Sequence, residues 1–181
     1  MVVTPTSLKD VLILEPKLFK DFRGSFFEVW SDQPYREAGV TGPFVQDNLS
    51  HSVRNTLRGL HFQEPHGQGK LVIVPAGAVL DVAVDVRKGS PTFNRWVAVE
   101  MSAENRRQLW IPKGFAHGFA VLSETATVYY KCTDVYHPEC EQTVRWNDPD
   151  LAIDWPLKNP ILSAKDGAAP ALREISGLPK F

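Results

Sequence analysis

The sequence has few of the features that mark membrane, nucleic-acid-binding or disulfide-stabilised proteins. Its two cysteines, Cys132 and Cys140, match neither a disulfide scaffold nor a C-x-x-C metal or redox motif. No apolar run approaches the roughly 18 residues of a membrane-spanning helix, and the N-terminus lacks the pattern of a secretory signal. The net charge is −1, without basic runs, which argues against nucleic-acid or membrane-surface partners. We therefore expect a cytoplasmic protein with reduced thiols.

Repeats, low-complexity tracts and flexible linkers are also absent, so the length of 181 residues predicts one domain over 1–181. Helix is expected near 32–38 and in the C-terminal tail, where "SAKD" (163–166) is typical of a capping box. The rest reads as short strands cut by Gly and Pro, at 25–30, 55–63, 70–74, 78–87, 95–101, 107–112, 118–123 and 125–133. This spacing predicts an all-β, antiparallel sandwich or barrel. A double-sheet jelly roll with one end open to a ligand suits the pattern.

The segment "LRGLHFQ" (57–63) places an arginine and a histidine in an apolar strand. A regular pleat would put Arg58 and His61 on opposite faces, but a one-residue bulge at Gly59 would turn both to the same side. A lone histidine is more often a satisfied core residue, and Arg58 could be a solvated edge residue. A third basic side chain, Lys70, begins the next predicted strand.

The strand "TATVYYKCT" (125–133) turns one tyrosine inward. Alternation places Tyr130 on an otherwise apolar face with Ala126, Val128 and Cys132. A buried tyrosine usually bonds its hydroxyl to a nearby carbonyl group. A phenol that faces a pocket with a histidine is also a candidate general acid.

The segment "IPKGFAHGF" (111–119) contains a Pro-x-Gly-x-x-His pattern ending at His117. This pattern resembles the second signature of the cupin superfamily, whose members are jelly rolls. Metal-binding cupins take further ligands from a His-x-His pair, which this sequence lacks. His61 and His66 are five residues apart, so a strand does not place their imidazoles side by side. We therefore expect the cupin-type jelly roll with no metal ion at that position.

The segments taken together resemble the dTDP-4-dehydrorhamnose 3,5-epimerase family of rhamnose biosynthesis. The resemblance covers nearly the whole chain through "DVLILEPKLFKDFRGSFFE", "FVQDNLSHS", "LRGLHFQ", "QGKLV", "DVAVDVRKGSPTF", "MSAENRRQLWIPKGFAHGF", "YKCTDVYHPECE", "WNDPDLAIDWP" and "LSAKD". It implies a jelly-roll homodimer without metal or organic cofactor. The implied substrate is a dTDP-4-keto-6-deoxy sugar, whose configuration at C3 and C5 is inverted.

The resemblance also implies a role for each matching residue. The base is His61, its carboxylate partner is Asp166, the proton donor is Tyr130, and Lys70 stabilises enolate charge. The implied substrate contacts are Arg23, Glu28, Gln46, Asn48, Arg58, His117, Tyr136, Glu141 and Lys165, with Tyr136 stacking on the thymine ring. Inversion next to a ketone requires a base on one face of the sugar and an acid on the other, which His and Tyr side chains supply.

Three other functions are compatible with parts of the pattern. A single-site epimerase of an antibiotic-sugar pathway, acting at C3 or C5 alone, would use the same residues. A sugar-binding jelly roll without catalysis is less consistent with the presence of both His61 and Tyr130. A metal-dependent cupin enzyme is disfavoured by the missing His-x-His pair.

Overall fold

The computed structural model describes residues 1–181 and contains thirteen strands and two short α-helices. The helices are α1 (Asp32–Glu37) and α2 (Ala164–Gly167), and 3₁₀ turns lie at Pro138–Cys140 and Leu172–Glu174. No helix is both long and apolar enough to cross a membrane. The strands are β1 (Val2–Pro5), β2 (Leu12–Glu15), β3 (Phe19–Asp21), β4 (Gly24–Phe26), β5 (Gln46–Val53), β6 (Leu57–Gln63), β7 (Lys70–Ala76), β8 (Ala78–Asp85), β9 (Trp96–Ser102), β10 (Gln108–Ile111), β11 (Phe115–Val121), β12 (Thr125–Cys132) and β13 (Glu141–Thr143).

Two antiparallel sheets form the body of the fold. The larger sheet has the strand order β1-β2-β10-β7-β12-β5, and the smaller sheet has the order β13-β6-β11-β8-β9. The hairpin β3–β4 forms a separate two-stranded unit. The prediction of an all-β, cupin-type double-sheet jelly roll with short helices near 32–38 and in the C-terminal tail is confirmed.

Apolar side chains fill the space between the sheets and also cover the outer face of the smaller sheet. One cluster packs strands of the two sheets together, including Val72, Val99, Phe119 and Val128. A second cluster packs the outer face of the smaller sheet against the C-terminal third of the chain, through residues such as Leu60, Val84, Leu151, Trp155 and Leu172. The C-terminal third therefore acts as a cover that turns an exposed sheet face into core.

Both faces of β8 are buried, the outer face under this cover and the inner face between the two sheets. The inner face of β8 includes Asp81 and Asp85, and both are fully buried. Each is satisfied by hydrogen bonds, Asp81 with His117 and Asp85 with Arg87 and Ser90. Buried carboxylates require such partners, because an unpaired buried charge is costly.

The strand expected at 25–30 is correct only at its beginning. Strand β4 ends at Phe26, and the chain then leaves the hairpin. Trp30 packs its ring against Tyr35 at 4.9 Å and against Phe44 at 4.7 Å between centroids. Trp30 therefore packs in an aromatic cluster instead of extending strand β4.

The bulge expected at Gly59 is present. His61 pairs with His117, whereas Arg58 pairs with Phe119, so three steps along β6 match two steps along β11. Gly59 has a φ of +115°, and a Cβ atom there would lie 2.6 Å from the Cα of Gly118. Only glycine fits this position, and the extra residue places Arg58 and His61 on the same face.

Helix α2 is capped at its start by Ser163. Its hydroxyl accepts a hydrogen bond of 3.1 Å from the backbone N–H of Asp166. The second half of the predicted capping box is not formed, because the carboxylate of Asp166 turns to His61 instead of the backbone of Ser163.

Candidate active site

Strands from both sheets line a cavity of about 270 Å³. The smaller sheet contributes His61 and Glu141, and the larger sheet contributes side chains that are aligned by strand pairing. Cross-strand pairs in the larger sheet join Tyr130 to Asn48 and Cys132 to both Gln46 and Lys70. Seven of the predicted site residues therefore line one cavity: Gln46, Asn48, His61, Lys70, Tyr130, Tyr136 and Glu141.

The predicted base and its partner form a close pair. The Nε2 atom of His61 lies 2.6 Å from Oδ1 of Asp166, so Nδ1 is the nitrogen left for a ligand. Burial favours a higher pKa for Asp166, but hydrogen bonds from His61 and Ser163 outweigh it and lower the pKa. The ionised carboxylate can hold the proton on Nε2 and stabilise an imidazolium, as the aspartate of a catalytic triad does.

Tyr130 faces the cavity from the opposite sheet. Burial raises the pKa of its hydroxyl above the ordinary value, so the group is protonated at neutral pH. It can therefore donate a proton toward the cavity. This arrangement sets a proton acceptor on one sheet and a proton donor on the other.

Lys70 brings a positive charge next to Tyr130. Its Nζ atom lies 6.0 Å from the centroid of the Tyr130 ring. Removal from water lowers the pKa of the ammonium group, and the nearby Cys132 and Glu141 oppose that shift. The carboxylate of Glu141 accepts hydrogen bonds from the hydroxyl of Tyr136 at 2.9 Å and from the ammonium group of Lys165. Its negative charge is therefore already paired with groups other than Lys70.

A chain of amide contacts positions the outer part of the cavity. Gln46 donates from Nε2 to Asn48 at 3.0 Å and accepts the backbone N–H of Tyr136 at 2.8 Å. The ring of Tyr136 is about half exposed, so one of its surfaces is available for stacking.

Besides Asp166, three predicted residues adjoin the cavity without lining it. His117 is buried beside His61 and bonds through Nε2 to Asp81 at 2.9 Å and 3.0 Å. Arg58 lies on the same face as His61 and donates from Nε to Ser52 at 3.0 Å. Lys165, next to Asp166, reaches Glu141 from outside.

Two predicted residues, Arg23 and Glu28, lie outside this cavity. Arg23 is on the β3–β4 hairpin, with 76% of its side chain exposed, and pairs with Asp21 at 2.6 Å. Glu28 follows the hairpin, and its carbonyl group accepts a hydrogen bond of 3.3 Å from the hydroxyl of Tyr35. Neither side chain contributes to the cavity within a single chain.

The sequence reasoning missed one lining residue, Gln68. Its Nε2 atom donates to the carbonyl group of Asp134 at 2.8 Å. A signal was present, because residues two apart in an extended segment share a face and Gln68 precedes Lys70 by two positions.

The fold and cavity define a jelly-roll protein in which a histidine backed by a carboxylate faces a tyrosine and a lysine across one cavity. The chain belongs to the dTDP-4-dehydrorhamnose 3,5-epimerase family, whose model matches residues 5–174. It is therefore an isomerase of the epimerase type, as the sequence resemblance predicted.

Individual relatives match over nearly their whole length. A dTDP-4-dehydrorhamnose 3,5-epimerase of Salmonella typhimurium is 57% identical over 175 residues, covering 95% of this chain and 96% of the relative. The crystal structure of an epimerase from Legionella pneumophila, in complex with dTDP-4-keto-L-rhamnose, superposes with a TM-score of 0.97 at 53% identity, covering 99% of this chain and 98% of that one. A 3'-monoepimerase from Streptomyces bikiniensis, in complex with dTDP-quinovose, has a TM-score of 0.91 at 40% identity, covering 97% and 92%.

Proposed function

We propose that this protein inverts both C3 and C5 of dTDP-4-dehydro-6-deoxy-D-glucose, giving dTDP-4-dehydro-L-rhamnose. The observation that carries the proposal is the opposition of two groups across one cavity. His61, paired with Asp166 of α2, is on the smaller sheet, and Tyr130 and Lys70 are on the larger sheet. A ring held between the sheets would meet an acceptor on one face and a donor on the other.

Each inversion proceeds through an enolate. Nδ1 of His61 removes the proton from the carbon next to the C4 ketone, and the electron pair of that C–H bond moves onto the C4 oxygen. Asp166 stabilises the resulting imidazolium through Nε2. The enolate then takes a proton from the hydroxyl of Tyr130 on the opposite face, and exchange with solvent restores both groups.

Lys70 acts on the charge that develops between these two proton transfers. A cation in a site with little water stabilises an oxyanion strongly, and a single donor of this kind typically contributes about 3 to 4 kcal/mol. The low pKa that burial gives Lys70 indicates an ammonium group that is poorly solvated within the protein. The negatively charged oxygen of an enolate would give this ammonium group an ionic partner.

We infer that the substrate site is completed by a second copy of the chain. A volume of about 270 Å³ is below the ~300–1,000 Å³ of most ligand pockets, so the cavity suits the sugar better than the whole nucleotide sugar. The β3–β4 hairpin exposes Phe19, Phe22 and Phe26 together with Arg23, and exposed aromatic residues of this kind mark an interaction surface. In a homodimer, this hairpin would bring Arg23 and Glu28 to the partner's cavity, where a guanidinium group suits the diphosphate.

A complementation experiment tests the shared site. Arg23→Ala and His61→Ala homodimers are each expected to be inactive. When the two variants are mixed, unfolded and refolded together, half of the dimers carry both chains and each of these has one intact site. Activity should then return to about a quarter of the wild-type value. No recovery, with mixed dimers demonstrated by mass spectrometry, would contradict the shared site.

The reaction itself is tested by incubating the protein with dTDP-4-keto-6-deoxyglucose in D₂O and following the sugar by NMR. Deuterium at both C3 and C5, with inversion, is the expected result. Deuterium at one carbon would instead make the protein a single-site epimerase. Binding without any exchange would leave it a sugar-nucleotide-binding jelly roll.

We further propose that residues 1–181 act as one domain in the cytoplasm. The free thiols of Cys132 and Cys140 support a reducing compartment. The C-terminal cover of the smaller sheet supports a single cooperative unit, because Asp166 of that segment contacts His61 of the smaller sheet.

A further inference from the structure

A group of three side chains outside the cavity has the composition of a metal site. His66, Asp134 and His137 each offer one ligand atom, and these atoms lie within 4.8 Å of one another. The Nδ1 atom of His66 is 3.5 Å from Oδ2 of Asp134, and the two imidazole rings stack with centroids 4.1 Å apart. The proton-transfer chemistry proposed above uses none of the three residues.

The buried amide of Gln63 holds the backbone of both histidines in place. Its Nε2 atom donates to the carbonyl group of His66 at 2.7 Å, and its Oε1 atom accepts the backbone N–H of His137 at 2.9 Å. His66 is thereby kept at a φ of +67°, a conformation that a residue other than glycine adopts at a cost. One side chain thus fixes two segments that are distant in sequence and brings their imidazoles together.

The remaining contacts orient the ligand atoms. Oδ1 of Asp134 accepts the backbone N–H of Val135 at 2.8 Å, which leaves Oδ2 directed toward His66. Nδ1 of His137 lies 3.3 Å from Oε1 of Glu139, so the opposite nitrogen, Nε2, is free to bind. A carboxylate behind a histidine is the usual support of a metal-bound imidazole.

We propose that His66, Asp134 and His137 bind a divalent transition-metal ion of the zinc, cobalt or nickel type. Two imidazoles and one carboxylate suit these ions better than magnesium or calcium, which prefer oxygen ligands. Bonds of ~2.0–2.1 Å in tetrahedral geometry separate two ligand atoms by about 3.3 Å, close to the 3.5 Å between His66 and Asp134. The rings must turn about χ2 to converge on one ion, and the broad energy minimum of that torsion permits it at partly exposed positions.

The ion would join the two segments that form the outer edge of the cavity. Gln68 follows His66 and donates to the carbonyl group of Asp134, while Tyr136 lies between Asp134 and His137. Both Gln68 and Tyr136 line the cavity. The site is therefore separate from the proposed proton-transfer residues and lies next to Tyr136, the residue expected to stack on the thymine ring.

The test is metal binding by the untagged, chelator-treated protein. Titration calorimetry with Zn²⁺ should give one ion per chain, and Co²⁺ should give the intense visible absorption of a tetrahedral site. His66→Ala and His137→Ala should each weaken Zn²⁺ binding by at least about 100-fold, and Glu139→Gln by about 10-fold to 100-fold. His51→Ala is the matched control, because His51 is an exposed histidine on β5 bonded to Thr127, and its loss should leave binding unchanged.

The outcomes decide the proposal independently of the epimerase reaction, since none of them measures turnover. Absence of Zn²⁺ and Co²⁺ binding would overturn it, as would binding that His66→Ala and His137→Ala leave unchanged. Thermal unfolding of each variant without metal checks that the fold is retained, which the partial exposure of both histidines leads us to expect. With saturating Zn²⁺, the midpoint should rise for the wild type and for His51→Ala but not for His66→Ala.

Discussion

Replacing Asp166 by asparagine tests the proposed base more sharply than removing the base itself. The substitution keeps the size of the side chain, and the capping bond from the backbone of Asp166 to Ser163 is retained. It changes what the side chain can present to Nε2 of His61, which lies 2.6 Å away. The outcome depends on which way the new amide turns.

The second contact of the carboxylate decides that orientation. The backbone N–H of Gly59 contributes to the lowered pKa of Asp166, and a backbone N–H can only donate. We therefore expect the amide oxygen of the asparagine to face Gly59, which turns its NH₂ group toward His61. Nε2 then has to accept a hydrogen bond, so the imidazole proton moves to Nδ1, the nitrogen that must be free to take the sugar proton.

We expect kcat of Asp166→Asn to fall by about 10⁴-fold, as when a triad histidine is held in the wrong tautomer. This corresponds to about 5.4 kcal/mol of transition-state stabilisation. The measurement is steady-state epimerisation together with deuterium uptake from D₂O, and both should fall in parallel. The matched control is Asp47→Asn, since Asp47 pairs with Lys131 and lies outside the cavity. A loss of less than about tenfold in a folded Asp166→Asn protein with normal dTDP affinity would refute the tautomer argument.

Three further substitutions test the acid, the cation and the bulge. Tyr130→Phe should still exchange the substrate proton in D₂O but should not invert the carbon; normal epimerisation would show that the donor is another group. Lys70→Met should lower kcat by about 10²–10³-fold. The same change should raise the thermal midpoint near neutral pH, because burial lowers the pKa of Lys70 and so destabilises the folded protein while the lysine is charged. This gain should shrink as the pH rises from the lowered pKa toward the ordinary value of 10.5, and a gain that is constant with pH would contradict the burial argument. Gly59→Ala should destabilise the protein by more than Gly89→Ala, because both glycines have positive φ but a Cβ atom meets the backbone only at Gly59. If chemical denaturation gave equal losses of unfolding free energy for the two variants, the close approach of Gly59 to Gly118 would not contribute to the cost of the substitution.

Local patterns in the sequence were sufficient for the jelly roll and for the faces of its strands. Alternation along 125–133 correctly turned Tyr130 inward, and Lys131 lies on the opposite face, where it pairs with Asp47. The glycine in "LRGLHFQ" correctly predicted a bulge, because only a residue without Cβ fits where β6 and β11 approach each other so closely. The family motifs identified the candidate site residues, but they carry no information about the distances between those residues in the folded protein.

Which of these residues meet was decided by contacts between distant parts of the chain. His61 and Asp166 are 105 positions apart, and their contact depends on the C-terminal segment folding back over the smaller sheet. The cover on one side and the larger sheet on the other together bury both faces of β8, which strand alternation cannot show, because alternation describes a sheet with one exposed face. His66 and His137 come together only because Gln63 bonds to the backbone of both.

The sequence by itself determined the fold class, the family and the kinds of side chain available for proton transfer. These follow from strand periodicity, from glycine positions and from ordered motifs, all of which are local properties of the chain. The tertiary structure decided which nitrogen of His61 faces the cavity, that Arg23 lies apart from it, and that Gln68 belongs to it. Those facts depend on the packing of segments far apart in sequence, whose relative positions no local pattern encodes.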